Sequence, residues 1–115
     1  MPTVFEDPAD PHELRIVTSS EDDVYVVQAS GELDTRSAER LRGAIDNVFA
    51  EGHSSVVLDL GGISFIDSSG LAVLIYAYKQ ARDRSGSLTL RSPSATVIRL
   101  VDVTGQSDRF LNPRA

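Results

Sequence analysis

The sequence contains no cysteine and no tryptophan, and its only imidazoles are His12 and His53. The lack of cysteine excludes disulfides, thiolate metal ligands and cysteine nucleophiles. We therefore expect no metal and no other cofactor. No apolar run reaches the roughly 18 residues of a membrane helix, and residues 1–11 do not have the basic and then apolar pattern of a secretory leader. These absences predict a cytoplasmic protein without membrane attachment.

Basic residues are also scarce. The sequence has 11 lysines and arginines and 17 aspartates and glutamates, which gives a net charge of −6. The acidic excess lies in the first 23 residues, where Arg15 is the only base. Such a chain lacks the positive surface that a phosphate backbone requires, so no direct nucleic-acid binding is expected. We predict an acidic flexible N-terminal tail at residues 1–12, with a docking arm as the alternative, and one domain at residues 13–111.

Hydrophobic patterning predicts an α/β fold in the order ββαβαβα. Short β-rich runs and helical periodicity give the expected elements: strands at 14–18, 24–29, 55–60 and 88–91, and helices from about 38 to 49, from 69 to 84, and after Ser92-Pro93. Strands separated by helices should be parallel, which gives one mixed sheet of four to five strands with helices mainly on one side. The apolar run at 55–60 suits a central strand covered on both faces. Gly52 and Gly105 should end helices, and Gly31 should end the second strand.

The most informative segment is the turn Asp67-Ser68-Ser69-Gly70, between the central strand and the second predicted helix. Free amides and the positive end of the helix dipole stabilise an oxygen or an anion at this position. Asp67 or Ser68 would serve as a simple helix cap. Alternatively, a phosphate on Ser69 would be favoured electrostatically.

The second helix carries more apolar residues than one core-facing stripe requires. Besides that stripe, Ala72, Val73 and Tyr76 leave other sides of the helix apolar. These residues either meet a protein partner near the two serines or are scattered surface hydrophobes.

Four segments of the sequence resemble the anti-sigma factor antagonists, bacterial proteins of the STAS fold. They are Gly31-Glu32-Leu33-Asp34, Val57-Leu58-Asp59-Leu60, Phe65-Ile66-Asp67-Ser68-Ser69-Gly70-Leu71 and Tyr78-Lys79-Gln80-Ala81. The resemblance implies a monomer that, when unphosphorylated, binds an anti-sigma factor that is also a serine kinase, and thereby releases a sigma factor. Phosphorylation would end the binding, and a PP2C-type phosphatase would reverse it.

The same resemblance implies roles for individual residues. Ser69 would be the phosphorylation site, with Ser68 as the alternative. Asp34 would act beside it, although an N-cap at the first helix explains Asp34 equally well. The partner-binding residues would be Asp34, Asp67, Ser68, Gly70, Ala72, Val73 and Tyr76. Ala72 stands where many relatives have glycine, which leaves the partner's identity open.

Enzymes and other binding modules fit the sequence less well. His53 precedes the central strand and should lie at the opposite end of the sheet from Ser69, so a serine hydrolase is disfavoured. The sequence has no Gly-x-Ser-x-Gly elbow, and its Asp67 turn does not match an aspartic protease. A phospho-aspartate receiver needs a lysine late in the sheet, whereas Lys79 lies on the second helix. A STAS-like scaffold without phosphorylation is a second alternative.

Overall fold

The computed structural model describes residues 3–4, 13–106 and 110. The elements in chain order are β1 Thr3–Val4, β2 Arg15–Glu21, β3 Val24–Leu33, α1 Ala38–Ala50, β4 Ser55–Ile66, α2 Ser68–Asp83, β5 Ser87–Arg91 and α3 Ala95–Val103. The predicted order ββαβαβα is confirmed, with the two-residue β1 added before it. At β1 the structure differs from the predicted flexible tail, because Thr3 and Val4 pair with β2. The rest of residues 1–12 lies outside the described residues.

One mixed sheet holds all five strands in the order β1-β2-β3-β4-β5. β2 and β3 form an antiparallel hairpin, and Asp22 in its turn adopts a left-handed conformation with φ 52°. β3, β4 and β5 run parallel, as expected for strands joined through helices. Parallel strands end at the same edge of a sheet, so the ends of β3 and β4 lie side by side.

Buried residues of all three described helices belong to one core cluster with Val56, Leu58 and Leu60 of β4, which confirms the predicted placement of the helices mainly on one side of the sheet. Along β4, Val56, Leu58 and Leu60 are buried, while Val57 and Asp59 between them are half-buried. The prediction that this strand is covered on both faces was therefore wrong. Its nearly unbroken apolar sequence, which only Ser55 and Asp59 interrupt, conceals an ordinary alternation between a core face and a more open face.

Glycine conformations confirm two of the predicted helix ends and correct a strand end. Gly52 and Gly105 have φ of +95° and +77° and follow α1 and α3. Gly31, with φ +101°, lies inside β3 rather than at its end, next to a shift of register. A Cβ at Gly31 would overlap the Glu13 carbonyl oxygen, so the close approach of that segment requires glycine.

The start of α3 also differs from the prediction. Ser94, not Ser92, is the N-cap, and its hydroxyl accepts a hydrogen bond from the Val97 amide at 3.4 Å. Pro93 consequently precedes the cap instead of occupying the first helical position. Ser92 adopts a left-handed conformation with φ 51°, which is incompatible with an N-cap.

Candidate functional site

Asp34 organises the turn that leads from β3 into α1. Its Oδ1 accepts hydrogen bonds from the amides of Arg36 and Ser37 at 3.0 and 3.3 Å. The Ser37 hydroxyl accepts from the Asp34 amide at 3.0 Å and donates to the Glu32 carbonyl at 2.8 Å. Asp34 therefore caps the turn at residues 35–37. The prediction that it is the N-cap of α1 is wrong, because that helix begins at Ala38 and its N-cap is Ser37.

Burial by itself raises the pKa of the Asp34 carboxyl, but its hydrogen bonds act in the opposite direction and prevail. The bonds from the backbone and side chain of Arg36, together with the charge of that arginine and the Ser37 hydroxyl, lower the pKa below its usual value. Asp34 is consequently a carboxylate at neutral pH.

Asp67 is the corresponding residue at the start of α2. Its Oδ1 accepts from the amides of Ser69 and Gly70 at 2.9 and 3.1 Å, so Asp67 rather than Ser68 is the cap. The Asp67 amide donates to the Leu33 carbonyl at 3.2 Å, which ties the start of α2 to the end of β3. Two of the amides expected to receive an anion are thus already bonded to Asp67.

Gly70 lets α2 approach the sheet closely. A Cβ at this position would lie 2.7 Å from Leu33 Cγ and 2.8 Å from Ile66 Cγ1. Both neighbours belong to the buried core. Gly70 is itself buried, so its role in this structure is to bring the serine turn down onto the ends of β3 and β4.

The ends of the two parallel strands bring Ser69 to Thr35, 34 residues earlier in the chain. Their hydroxyl oxygens lie 3.1 Å apart. Ser69 is half-buried, whereas Thr35 and Ser68 are exposed. Sequence reasoning did not identify Thr35, because a contact over this separation leaves no local pattern.

A groove of about 390 Å³ runs between α1 and α2 from the Ser69 hydroxyl. We call it the α1–α2 groove, and its lining residues are Thr35, Ala38, Glu39, Arg42, Ser69, Ala72, Val73 and Tyr76. Ala72 is exposed and Tyr76 half-buried, but Val73 is only 5% exposed. Val73 is therefore part of the core that floors the groove, not a scattered surface hydrophobe.

The far end of the groove is closed by a polar contact between the helices. The Tyr76 hydroxyl donates a hydrogen bond to Asp46 Oδ1, and this bond is the main reason that the pKa of Tyr76 is raised. The Arg42 guanidinium lies 4.3 Å from the centre of the Tyr76 ring. Sequence reasoning did not single out Arg42.

The predicted site residues thus divide into groups. Ser69, Ala72, Val73 and Tyr76 share the α1–α2 groove, whereas Asp34 lines a separate cleft of about 220 Å³ with Arg36 and Arg40. Asp67 caps α2, Ser68 projects at its first position and Gly70 lies beneath. All of these residues lie on α2 or at the edge of the sheet where β3 and β4 end.

His53 is not part of this edge. His53 stacks on Tyr25 near the starts of β3 and β4, with ring centres 4.1 Å apart, at the opposite end of the strands. Within residues 3–4, 13–106 and 110, no three Asp, Glu or His side chains cluster so as to hold a metal ion. None of the helices described is long and apolar enough to cross a membrane.

Comparison with known proteins agrees with this geometry. Residues 15–114 match the sequence profile of the family described as STAS domain. An anti-sigma-B factor antagonist of Bacillus subtilis strain 168 is 35% identical over 92 residues, covering 80% of this chain and 83% of that protein. One from Staphylococcus epidermidis is 32% identical over 95 residues, covering 83% of this chain and 88% of that protein.

A solved structure extends the agreement to three dimensions. The crystal structure of an anti-sigma factor antagonist from Mycobacterium paratuberculosis superposes with a TM-score of 0.74 at 30% identity, covering 90% of this chain and 87% of that one. At this coverage the likeness extends over most of the fold. The chain therefore belongs to the STAS domain family, among the anti-sigma factor antagonists.

Proposed function

We propose that this antagonist binds, in its unphosphorylated form, an anti-sigma factor that is also a serine kinase, and that phosphorylation of Ser69 ends the binding. The observation that carries the proposal is the position of the Ser69 hydroxyl. It lies at the mouth of α2 and opens into the α1–α2 groove, where its partner among the described residues is the hydroxyl of exposed Thr35. A kinase can replace that contact without unfolding the turn.

The phosphorylation step moves the γ-phosphoryl group of ATP onto Ser69. The Ser69 Oγ–P bond forms as the bond to the β-phosphate oxygen breaks, ADP leaves with that electron pair, and the hydroxyl proton passes to a base of the kinase. Ser68 is the alternative acceptor because it is exposed beside Ser69. Ser69 is favoured since Ser68 does not line the groove.

The binding surface in this proposal surrounds the two serines. Asp34, Asp67 and Ser68 lie at the edge of the sheet, and Ala72 and Tyr76 continue the surface along the groove. Gly70 and Val73 contribute from below, because both are buried and set the depth of the surface. A phosphate on Ser69 would add negative charge beside the Asp67 carboxylate, so a partner that covers this surface would have to bury additional charge.

The remaining features follow from this mode of action. The chain acts by binding and not by catalysis, is a monomer when free, works in the cytoplasm and does not contact nucleic acid directly. A PP2C-type phosphatase would restore the binding form. A scaffold role without phosphorylation is the competing function.

Peptide mapping of the protein isolated from its native cell, by mass spectrometry, tests the proposal. We expect one added phosphate within the turn, located on Ser69. In parallel, Ser69→Ala and Ser68→Ala should be incubated with the anti-sigma kinase and ATP, where only Ser69→Ala should fail to accept phosphate. Acceptance by Ser69→Ala with loss in Ser68→Ala would move the site to Ser68. A lack of phosphate in all preparations would favour the scaffold.

A further inference from the structure

Arg42 lies in the same groove as the serine and has no assigned role. Both residues line the α1–α2 groove, Ser69 at its mouth and Arg42 farther along α1. The Arg42 side chain is 47% exposed, so its guanidinium can change position without breaking the core. Its present contacts include the Tyr76 ring and Glu39, whose Oε1 is 4.0 Å from Arg42 Nη1.

We infer that Arg42 is the residue that binds the phosphate, an inference that rests on the proposed phosphorylation of Ser69. Arg42 would move away from Tyr76 and Glu39 and would form a charge-assisted hydrogen bond with phosphoserine 69. A phosphoserine carries a charge of about −1.5 to −2 at neutral pH and pairs preferentially with arginine. The contacts that Arg42 would give up are modest, because an exposed ion pair contributes about 0–1 kcal/mol and an exposed cation–π contact about 0.5–1 kcal/mol.

Helix geometry makes this movement short. Side chains on an α-helix lean toward its N-terminus, so Arg42 already lies over the turn that contains Ala38 and Glu39. Its contact with Glu39 confirms that direction. The phosphate would enter the groove from Ser69 toward the same turn, so the two groups approach each other from opposite ends.

Arg36 is the obvious competitor, because it adjoins Thr35 in sequence. Its side chain, however, lines the neighbouring cleft with Asp34, Glu32 and Arg40, not the α1–α2 groove. Arg36 Nη2 lies 3.4 Å from Asp34 Oδ2 and 3.9 Å from Glu32 Oε1. Position in the groove, and not closeness in sequence, therefore selects Arg42.

Capture of the phosphate by Arg42 would also change the shape of the groove. With Arg42 held by the phosphate, the guanidinium would cover the groove floor beside Ala72 and leave the Tyr76 ring uncovered. The phosphorylated protein would then differ from the free one along the whole groove and not at one serine alone. Partner binding would be lost through altered shape as well as through charge.

The test uses the full chain with phosphoserine installed at position 69 during translation, so that no kinase is needed. The second pKa of the phosphate is measured by ³¹P NMR in the wild type, Arg42→Gln and the matched control Arg36→Gln. An arginine contact stabilises the dianion, so we expect Arg42→Gln to raise that pKa by about half a unit to one unit. Arg36→Gln should produce less than half of that shift.

A second measurement detects the movement itself. The Arg42 side-chain protons, which lie over the Tyr76 ring, should lose their ring-current shift when residue 69 carries phosphate. Equal pKa changes in the two variants, or an unchanged Arg42 ring-current shift, would overturn the inference. Neither readout depends on a kinase, so failure here leaves the phosphorylation proposal standing. Failure of the kinase to modify Ser69 leaves this measurement valid.

Discussion

At both α1 and α2 a parallel strand ends, an aspartate follows it, and that aspartate accepts hydrogen bonds from the next backbone amides. The two helix starts differ in what happens to the nearby hydroxyl. Ser37 is 7% exposed, and its hydroxyl is bonded to the Glu32 carbonyl and the Asp34 amide. Ser69 is half-buried and meets another hydroxyl, that of Thr35. Two similar aspartate turns thus leave the Ser37 hydroxyl with a structural role and the Ser69 hydroxyl available for modification.

The largest expected effect comes from placing charge at the available hydroxyl. Ser69→Glu should keep the fold, because residue 69 is only half-buried and the roughly 0.3–1 kcal/mol by which the helix dipole favours a negative charge there offsets repulsion from Asp67. In the complex that charge is covered beside Asp67, and an unpaired buried charge costs about 3–5 kcal/mol. Affinity for the anti-sigma kinase should therefore fall at least about a hundredfold.

Calorimetric titration and thermal melting of the same preparation check this prediction. Ser69→Ala should bind normally and resist inactivation by ATP, and Ser68→Glu is the matched control with a smaller loss of affinity. If Ser69→Glu and authentic phosphoserine both bind as tightly as the wild type, the proposed switch is wrong. A collapsed melting temperature in Ser69→Glu would show that the charge acts through the fold instead.

The next effect concerns how closely α2 approaches the sheet. Gly70→Ala places a Cβ 2.7 Å from Leu33 Cγ and 3.0 Å from the Leu33 carbonyl oxygen, so the free energy of unfolding should fall by about 1–3 kcal/mol. Gly43 on α1 is the matched control, since a Cβ there meets nothing within 4 Å. Gly43→Ala should stabilise the protein by about 0.5–1 kcal/mol.

Urea unfolding of both variants separates packing from helix propensity. Both changes add one methyl group to a helix, and they differ only in the surroundings of that methyl. Equal stability changes of the two proteins would mean that α2 can move away from the sheet freely. That result would contradict the role assigned to Gly70.

Removal of each of the two hydroxyls in turn is expected to change the free energy of unfolding by less than Gly70→Ala does. Ser37→Ala removes the donor to the Glu32 carbonyl and the acceptor for the Asp34 amide, so we expect a cost of about 1–2 kcal/mol. Ser69→Ala loses one contact to an exposed hydroxyl and should stay within about 0.5 kcal/mol of the wild type. Chemical denaturation measures both values, and a larger cost for Ser69→Ala would reverse the distinction between the two helix starts.

The smallest expected effect is a dependence on pH at the start of α1. The pKa of Asp34 is lowered from the ordinary value of 3.8. A carboxyl with a lowered folded-state pKa stabilises the protein above its unfolded-state pKa, and that contribution is lost as pH falls through the lower folded-state value. The wild type should therefore lose more stability between pH 7 and pH 3 than Asp34→Asn does.

Asp34→Asn keeps the Oδ1 acceptor but removes the titrating charge and the Oδ2 acceptor for Arg36. The loss of that contact does not depend on pH, so the difference between urea midpoints at the two pH values reports the titration. An equal acid-induced loss in both proteins would show that Asp34 acts as a hydrogen-bond acceptor without a contribution from its charge. Slower phosphorylation of Asp34→Asn at unchanged stability would add a functional role to the cap.

Local signals were sufficient for the order of β2 to β5 and the three helices, but not for β1. The periodicity of α1 and α2, the β-rich runs and the glycines at positions 52 and 105 predicted the order ββαβαβα, because each depends on neighbours within a few residues. Predictions that depended on surroundings were less accurate. The run at 55–60 could not reveal that one face of β4 stays more open, and Ser92 could not be distinguished from Ser94 as the cap of α3.

The sequence by itself determined the serine turn and the family to which the chain belongs, since these are properties of short contiguous motifs, whereas it left the helix cap open between Asp67 and Ser68. Only the tertiary structure decided that Ser69 meets Thr35, that Val73 lies in the floor of the groove, and that Arg42 rather than Arg36 shares that groove with the serine. The physical reason is that parallel strands bring distant segments to one edge of the sheet. Contacts made there depend on register and helix packing, which no local pattern encodes.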